Sequence, residues 1–140
     1  MLHLLSVLSL FLSSSARPVS PPKTNLKVEI QNVQVLRGTV YITLYRPGKG
    51  FLGSNSVDDK QVNAGSKNIQ ALFSVEPGDY AIAVYHDENG NGKMDKRLFG
   101  IPKEPYGFSN NFRPLMSAPK FSDCKFSVGD GGKVISIKLL

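Results

Sequence analysis

Apolar residues recur at every second position through most of this chain, and that spacing limits the folds open to it. In one run Leu26, Val28 and Ile30 alternate with polar residues, and in another Ile82 and Val84 belong to the apolar stripe. Successive side chains of a β-strand point to opposite faces, so the spacing predicts strands with one buried face each. No long segment after residue 16 has the period of an amphipathic helix. The pattern therefore favours an all-β chain.

We predict a single antiparallel β-sandwich of about seven strands, of immunoglobulin-like or transthyretin-like type. A small barrel is the alternative. The length of 140 residues suits one domain. The polar stretch 48–65 is rich in glycine, and it predicts a mobile loop or a ragged edge strand. Turn residues such as Pro77 and Gly78 separate the runs.

The first residues predict an export signal rather than part of the fold. Residues 4–12 are apolar and are followed by small residues. The run is too short for a transmembrane helix, which needs about 20 residues. We therefore predict a signal peptide over 1–16, a linker over 17–25 and the sandwich domain over 26–140, with a secreted or periplasmic mature chain and no membrane span. The alternative is a misassigned start or a buried N-terminal element.

The basic charge of the chain does not point to nucleic acid. The formal net charge is +6, but the lysines are spread along the sequence without an arginine-rich run or a nucleic-acid motif. We predict no nucleic-acid partner and regard most lysines as solvated. The partner expected of an exported chain is an unknown cell-envelope or extracellular ligand, and weak adhesion to acidic envelope polymers is one form of it.

The single cysteine limits the covalent and metal chemistry of the chain. One thiol allows no internal disulfide and excludes a cysteine-rich zinc module. The alternation places Cys124 on one face with Phe126 and Val128, which predicts a buried, inert thiol. A nucleophilic cysteine, which needs a nearby base or cation, is the alternative.

The segment 87–95 has the spacing of a calcium loop. Side-chain oxygens stand at positions 1, 3, 5 and 9, a backbone carbonyl is offered at position 7, and Gly92 stands at position 6, where the loop bends. Calcium prefers six to eight hard oxygen ligands, and alternate residues of a tight loop turn inward. The predicted metal ligands are Asp87, Asn89, Asn91, Lys93 and Asp95.

The match to an EF-hand is incomplete. Position 12 is Leu98, where an EF-hand has a bidentate glutamate. The missing ligand could be supplied by Glu88, by Glu104, by a backbone carbonyl or by water. Because few of the ligands are charged and several basic residues lie close by, we predict weak calcium binding, with a Kd of about 10⁻⁴–10⁻³ M. The alternative is an Asx-rich loop whose side chains cap its own backbone without metal.

The segment 99–113 predicts an ordered loop beside the calcium-type loop. Its prolines restrict the backbone, and Phe99, Tyr106 and Phe108 are expected to pack over the end of the sandwich. This loop is either a contact surface for a ligand or a lid over the core. The predicted ligand-binding residues are His86, Glu104, Tyr106, Ser109 and Asn110.

The run from Pro77 to Asn111 resembles a known bacterial family. The features that carry the resemblance are Pro77-Gly78-Asp79-Tyr80, His86-Asp87, Asn89 through Asp95, Gly100-Ile101-Pro102, Glu104, Tyr106 through Asn110, Pro119, Phe121 and Phe126. They are similar to the signature of the DUF2141 family. The resemblance implies a signal peptide followed by one β-rich domain, and it implies no established activity. The Pro77 turn is also weakly similar to transthyretin-like and carboxypeptidase-regulatory-like modules.

Two functional hypotheses follow from these observations. The first is an exported, non-enzymatic binding or structural module that uses the loops 87–95 and 99–113. The second is a hydrolase-like enzyme at the same end of the domain, with His86, Asp87, Asp95 and Glu104 as acid and base groups.

Overall fold

The computed structural model describes residues 17–48 and 50–140, and the predicted signal peptide at 1–16 lies outside them. The fold is all-β, with eight strands in two sheets. The strands are β1 Thr24–Gln31, β2 Thr39–Tyr45, β3 Ser56–Asn63, β4 Asn68–Val75, β5 Gly78–Asp87, β6 Tyr106–Phe108, β7 Phe126–Val128 and β8 Lys133–Lys138. The helical elements of the described residues are one turn of α-helix, α1 Phe121–Cys124, and two 3₁₀ turns at Leu98–Gly100 and Ser109–Asn111.

The first sheet has three strands in the order β4-β1-β8. β1 and β4 are antiparallel, with Thr24 opposite Val75, whereas β1 and β8 run parallel, with Leu26 opposite Lys133. The prediction of a purely antiparallel architecture is therefore wrong for β1 and β8. These strands come from the two ends of the domain, so no tight turn dictates their direction.

The second sheet has the order β3-β2-β5-β6, and β7 pairs with the beginning of β5. β3 forms the edge of this sheet and occupies much of the polar stretch 48–65, which confirms the edge-strand expectation. Its residues are half-buried or exposed throughout, because an edge strand with few apolar residues contributes little to the core. β5 is the central strand, and its last two residues extend past β6, where His86 and Asp87 pair with β2.

One apolar core lies between the two sheets. It takes the alternate residues of both, such as Val28 and Phe73 from the first sheet and Ile42 and Ile82 from the second. These side chains are fully buried, as the two-residue rhythm predicts. Tyr80 is 1% exposed, and its hydroxyl donates a 2.7 Å hydrogen bond to the carbonyl four residues before it, in the chain segment that crosses between the sheets.

A second, smaller cluster covers the other face of the second sheet. It contains Cys124, Ala81 and Phe108, with Phe121 packed against it. Cys124 is fully buried, as predicted, and burial raises the pKa of its thiol to about 12. The prediction that it shares a face with Phe126 is wrong, because α1 carries it to this outer cluster. Within 17–48 and 50–140, no helix is long and apolar enough to span a bilayer.

Candidate functional site

Asp87 is the organising residue of the loop 87–95. It closes β5, is 1% exposed, and its carboxylate accepts three backbone N–H groups. One oxygen accepts from Gly90 at 2.8 Å and from Asn91 at 3.2 Å, and the other accepts from Gly92 at 2.7 Å. A buried ionised carboxylate is stable only with such partners. The loop therefore folds around this carboxylate, and Gly92 has the positive φ of 77° that the bend was predicted to need.

The other three side chains of the predicted ligand set meet on the outer side of the loop. The amide nitrogens of Asn89 and Asn91 both donate to the Asp95 carboxylate, with Asn91 at 2.9 Å. The amide oxygens accept from backbone N–H groups two residues further on, from Asn91 and from Lys93, each at 3.1 Å. The hydrogen bonds from Asn91 and then Asn89 lower the pKa of Asp95, so it is ionised at neutral pH.

Glu104 braces the loop from the neighbouring segment. It is 7% exposed, and its two oxygens accept the backbone N–H groups of Glu88 at 3.1 Å and Asp95 at 3.0 Å. The N–H of Lys103 donates to the Asp95 carbonyl at 2.8 Å, so the two segments are tied together in both directions. Glu104 therefore fixes both ends of the loop, with each of its oxygens accepting one backbone N–H.

We expect Glu104→Gln to lower the free energy of unfolding by about 1–3 kcal/mol, because an amide has one oxygen and leaves one buried N–H facing a donor. Urea denaturation measures the change. Glu29→Gln, on the solvent-facing side of β1, is the control and should cost less than about 1 kcal/mol. Equal effects of the two substitutions would show that Glu104 does not brace the loop.

His86 lies under the loop and is fully buried. Its Nε2 is 2.7 Å from the Arg37 carbonyl, and since a carbonyl only accepts, Nε2 carries the proton. Its Nδ1 has no hydrogen-bond partner in the described part of the chain and is 3.9 Å from a carboxylate oxygen of Glu88. His86 therefore joins the segment before β2 to the end of β5 and does not face solvent.

The remaining predicted ligand-binding residues separate into different environments. Ser109 is fully buried, and its hydroxyl accepts from the Ile82 N–H at 2.9 Å and donates to the Cys124 carbonyl. Asn110 is exposed and donates to the Lys125 carbonyl at 2.8 Å. Tyr106 lines a cavity on the outer face of the second sheet. The structure therefore does not gather these residues around the loop 87–95, and only Glu104 and His86 adjoin it.

Two residues that support the loop were not singled out from the sequence. Tyr85 stacks on Tyr41 with ring centroids 4.8 Å apart, and its hydroxyl donates to the Gly92 carbonyl at 3.4 Å. Gly38 packs against the backbone of Asp87 so closely that a β-carbon there would lie 2.0 Å from the Asp87 carbonyl oxygen. The support from Tyr85 was predictable, because the alternation places this residue on the solvent face of β5 next to the loop. The contact of Gly38 with Asp87 was not, because no pattern in the sequence indicates which segment packs against the end of β5.

The oxygen donors of the loop suit a hard cation, but only two of them carry a negative charge. Asp87 and Asp95 supply the carboxylates, and Asn89 and Asn91 supply amide oxygens. Among residues 17–48 and 50–140, no three His, Cys, Asp or Glu side chains come together as a metal group. Oxygen-only donors suit calcium or magnesium rather than a transition metal. Asp87, Asn89, Asn91, Asp95 and the Lys93 carbonyl are the groups that would hold such an ion.

The architecture and the site define an all-β domain with two sheets, one shared core and an Asx-rich loop folded on a buried aspartate. The family model described as "Uncharacterized protein conserved in bacteria (DUF2141)" matches residues 28–136, and the chain belongs to this family. The resemblance stated from the sequence is thereby confirmed. No curated protein and no solved structure matches the chain.

Proposed function

We propose that the chain is an exported, non-enzymatic binding or structural module whose loop 87–95 binds calcium weakly. The observation that carries the proposal is the meeting of Asn89, Asn91 and Asp95 at one point, next to the buried carboxylate of Asp87. A calcium loop places oxygen-bearing residues at this alternate spacing, and here the amide groups of Asn89 and Asn91 already lie beside the Asp95 carboxylate, with their nitrogens facing it. The exported location rests on the apolar segment 4–12.

Acceptor capacity at the loop is consistent with a bound ion. An ionised carboxylate offers about four acceptor positions, and the described hydrogen bonds use three of those on Asp87. Each amide oxygen accepts one N–H and retains a second lone pair. Turning the two amides so that their oxygens face a cation beside Asp95 would exchange their backbone N–H bonds for metal contacts, and the cation would replace the amide nitrogens as the partner of the Asp95 carboxylate.

Three of the four acid and base groups of the enzymatic alternative are buried and hydrogen-bonded to the backbone. Asp87 accepts three N–H groups, Glu104 accepts two, and His86 donates to a carbonyl while fully buried. A general acid or base needs an atom within reach of a substrate proton. Of the four candidates, Asp95 alone lies at the surface, and a single carboxylate does not make the pair that glycoside hydrolysis uses. The geometry therefore favours the binding module.

We further infer that the domain is a β-sandwich of immunoglobulin-like or transthyretin-like type. Support comes from the hydrogen bond of the Tyr80 hydroxyl to the Glu76 carbonyl, which has the form of the tyrosine corner found in immunoglobulin-like sandwiches. Arg46 adds a bond to the same hydroxyl at 3.0 Å. The loop 87–95 then occupies the end of a sheet, where such domains present their binding loops.

We expect calcium to raise the melting temperature of the protein. At a calcium concentration ten times the Kd, the stabilisation is about 1.4 kcal/mol, which corresponds to about 4–6 °C for a domain of this size. Differential scanning fluorimetry measures this shift in melting temperature. The titration covers 0–10 mM CaCl₂, which is about the range that the proposed affinity requires. Asp95→Ala should abolish the shift.

The control is Asp79→Ala, which removes another half-buried aspartate at the opposite end of β5. This variant should keep the full calcium shift, and sodium chloride of equal ionic strength should give none. An absence of any shift in the unmodified protein at 10 mM calcium, about ten times the weakest proposed Kd, would contradict calcium binding. A shift that survives Asp95→Ala would place the ion elsewhere.

A further inference from the structure

Five large apolar side chains project into solvent on one side of the domain. Four of them line a single cavity of about 600 Å³ on the outer face of the second sheet, and Leu98 directly precedes Phe99 in the chain. We call this set the apolar rim, and its members are Leu98, Phe99, Ile101, Leu115 and Met116, with exposed fractions of 81%, 98%, 56%, 93% and 98%. The prediction that Phe99 packs over the core is wrong. Exposed apolar side chains are unremarkable singly, but a contiguous group marks a contact surface.

Part of the apolar rim is held on a tight hairpin. The Arg97 N–H donates to the Ile101 carbonyl at 2.7 Å, and Lys96 and Pro102 form a β-bridge. Phe99 at the tip has a positive φ of 61°, a conformation that costs energy for a side chain of this kind. The hairpin is tied to the loop 87–95 at its base through Asp95. The tip is therefore built in a defined position even though its side chains touch little of the domain.

The surroundings of the apolar rim are basic. Lys96, Arg97, Lys103 and Arg113 are exposed, and each lies in or directly beside a segment that lines the cavity. Glu104 is the only acidic residue between positions 96 and 122, and it is buried with both oxygens bonded to backbone N–H groups. In the part of the chain that the structure describes, none of the four cations forms an ion pair. The rim thus combines apolar tips with a cluster of cations, of which Lys103 also helps to lower the pKa of the neighbouring Asp95 carboxyl.

We propose that the apolar rim docks onto an anionic phospholipid bilayer. Apolar side chains that enter the headgroup region, together with nearby Lys and Arg that attract anionic lipids, are the two components of peripheral membrane binding. A second copy of the chain would bring like charges together. The lining side chains Phe99, Leu115 and Met116 are themselves 93–98% exposed and so enclose little, whereas ligand sites bury most of their occupant. The bilayer is the occupant that uses both the apolar tips and the charge.

Co-sedimentation with vesicles of equal parts phosphatidylglycerol and phosphatidylcholine tests the proposal, using the chain from residue 17 onward without calcium. We expect binding that falls about tenfold on pure phosphatidylcholine vesicles and falls again in 0.5 M NaCl. The double variant Phe99→Ser/Leu115→Ser should bind at least about tenfold more weakly, because two exposed apolar groups no longer enter the bilayer. Its melting temperature should be unchanged, since both side chains are exposed.

The matched control is Leu72→Ser/Val134→Ser, which removes two exposed apolar side chains from the outer face of the first sheet. This variant should bind like the unmodified protein. Three results would overturn the proposal: no sedimentation with anionic vesicles at low salt, equal losses in the two double variants, or sedimentation without vesicles, which would indicate self-association. Equal binding of the Phe99→Ser/Leu115→Ser variant and the unmodified protein would also overturn it, because the basic residues would then adsorb to the headgroups by charge alone. Because calcium is left out, failure here is independent of the calcium proposal.

Discussion

Replacing Asp87 by alanine is expected to lower the free energy of unfolding by about 3–4 kcal/mol. The carboxylate is 1% exposed and accepts three backbone N–H groups, from Gly90, Asn91 and Gly92. Alanine supplies no acceptor, so these donors lose the charged group around which the loop closes. Hydrogen bonds to a charged acceptor contribute more than neutral ones, and their loss is largest where water cannot replace them. Urea denaturation followed by far-UV circular dichroism measures the change.

Two controls separate the role of this carboxylate from a general effect of altering the loop. Asp87→Asn keeps one acceptor oxygen and should show an intermediate loss of about 1–2 kcal/mol. Asp95→Ala removes a half-buried carboxylate that accepts from side-chain amides. Its effect on stability should be much smaller than that of Asp87→Ala. Similar losses from Asp87→Ala and Asp95→Ala would contradict the view that the loop folds around Asp87.

Replacing Gly38 by alanine should destabilise the protein by about 3–5 kcal/mol, through two causes that add. Gly38 has a φ of 79°, a left-handed conformation that costs a residue with a β-carbon about 1–2 kcal/mol. The new β-carbon would also lie 2.0 Å from the Asp87 carbonyl oxygen and 3.1 Å from the Glu88 α-carbon. Backbone atoms cannot give way as a flexible side chain does, so the start of β2 or the end of β5 must move. Thermal or urea unfolding measures the loss.

Gly90→Ala is the matched control for this substitution. Gly90 has nearly the same φ, 74°, but a β-carbon there would meet nothing within 4 Å. This variant should therefore show only the conformational cost of about 1–2 kcal/mol. The difference between the two variants isolates the close approach of the Gly38 segment to Asp87. If Gly38→Ala costs no more than Gly90→Ala, the two segments are not packed as tightly as the structure has them.

Much of the fold could be predicted because the buried faces alternate regularly. β1, β2, β4, β5 and β8 all coincide with apolar stripes in the sequence. Such stripes report which residues face the core but say nothing of which strand is the neighbour. The parallel pairing of β1 with β8 was missed for this reason, since it joins segments about a hundred residues apart and leaves no local pattern. β3 remained ambiguous because an edge strand with polar residues resembles a loop.

The candidate site was predictable in its composition but not in its hydrogen bonding. The spacing of Asp87, Asn89, Asn91 and Asp95 was visible in the sequence, and the structure brings these residues into one loop. The sequence does not predict that both oxygens of Glu104 accept backbone N–H groups, because these bonds depend on how two segments pack against each other. Phe99 was misplaced for a related reason: an aromatic residue in a proline-containing loop usually packs inward, whereas the hairpin here turns it outward.

A crystal structure of the protein grown in 10 mM CaCl₂ tests the calcium proposal most directly. We expect one ion with oxygen ligands at about 2.3–2.6 Å from Asp87, Asn89, Asn91 and Asp95 and from the Lys93 carbonyl, with the two amides turned so that their oxygens face the metal. The contrary result is a loop without an ion, in which Asn89 and Asn91 still donate their amide nitrogens to Asp95. That result would make the loop a self-capped turn and would remove calcium from the account.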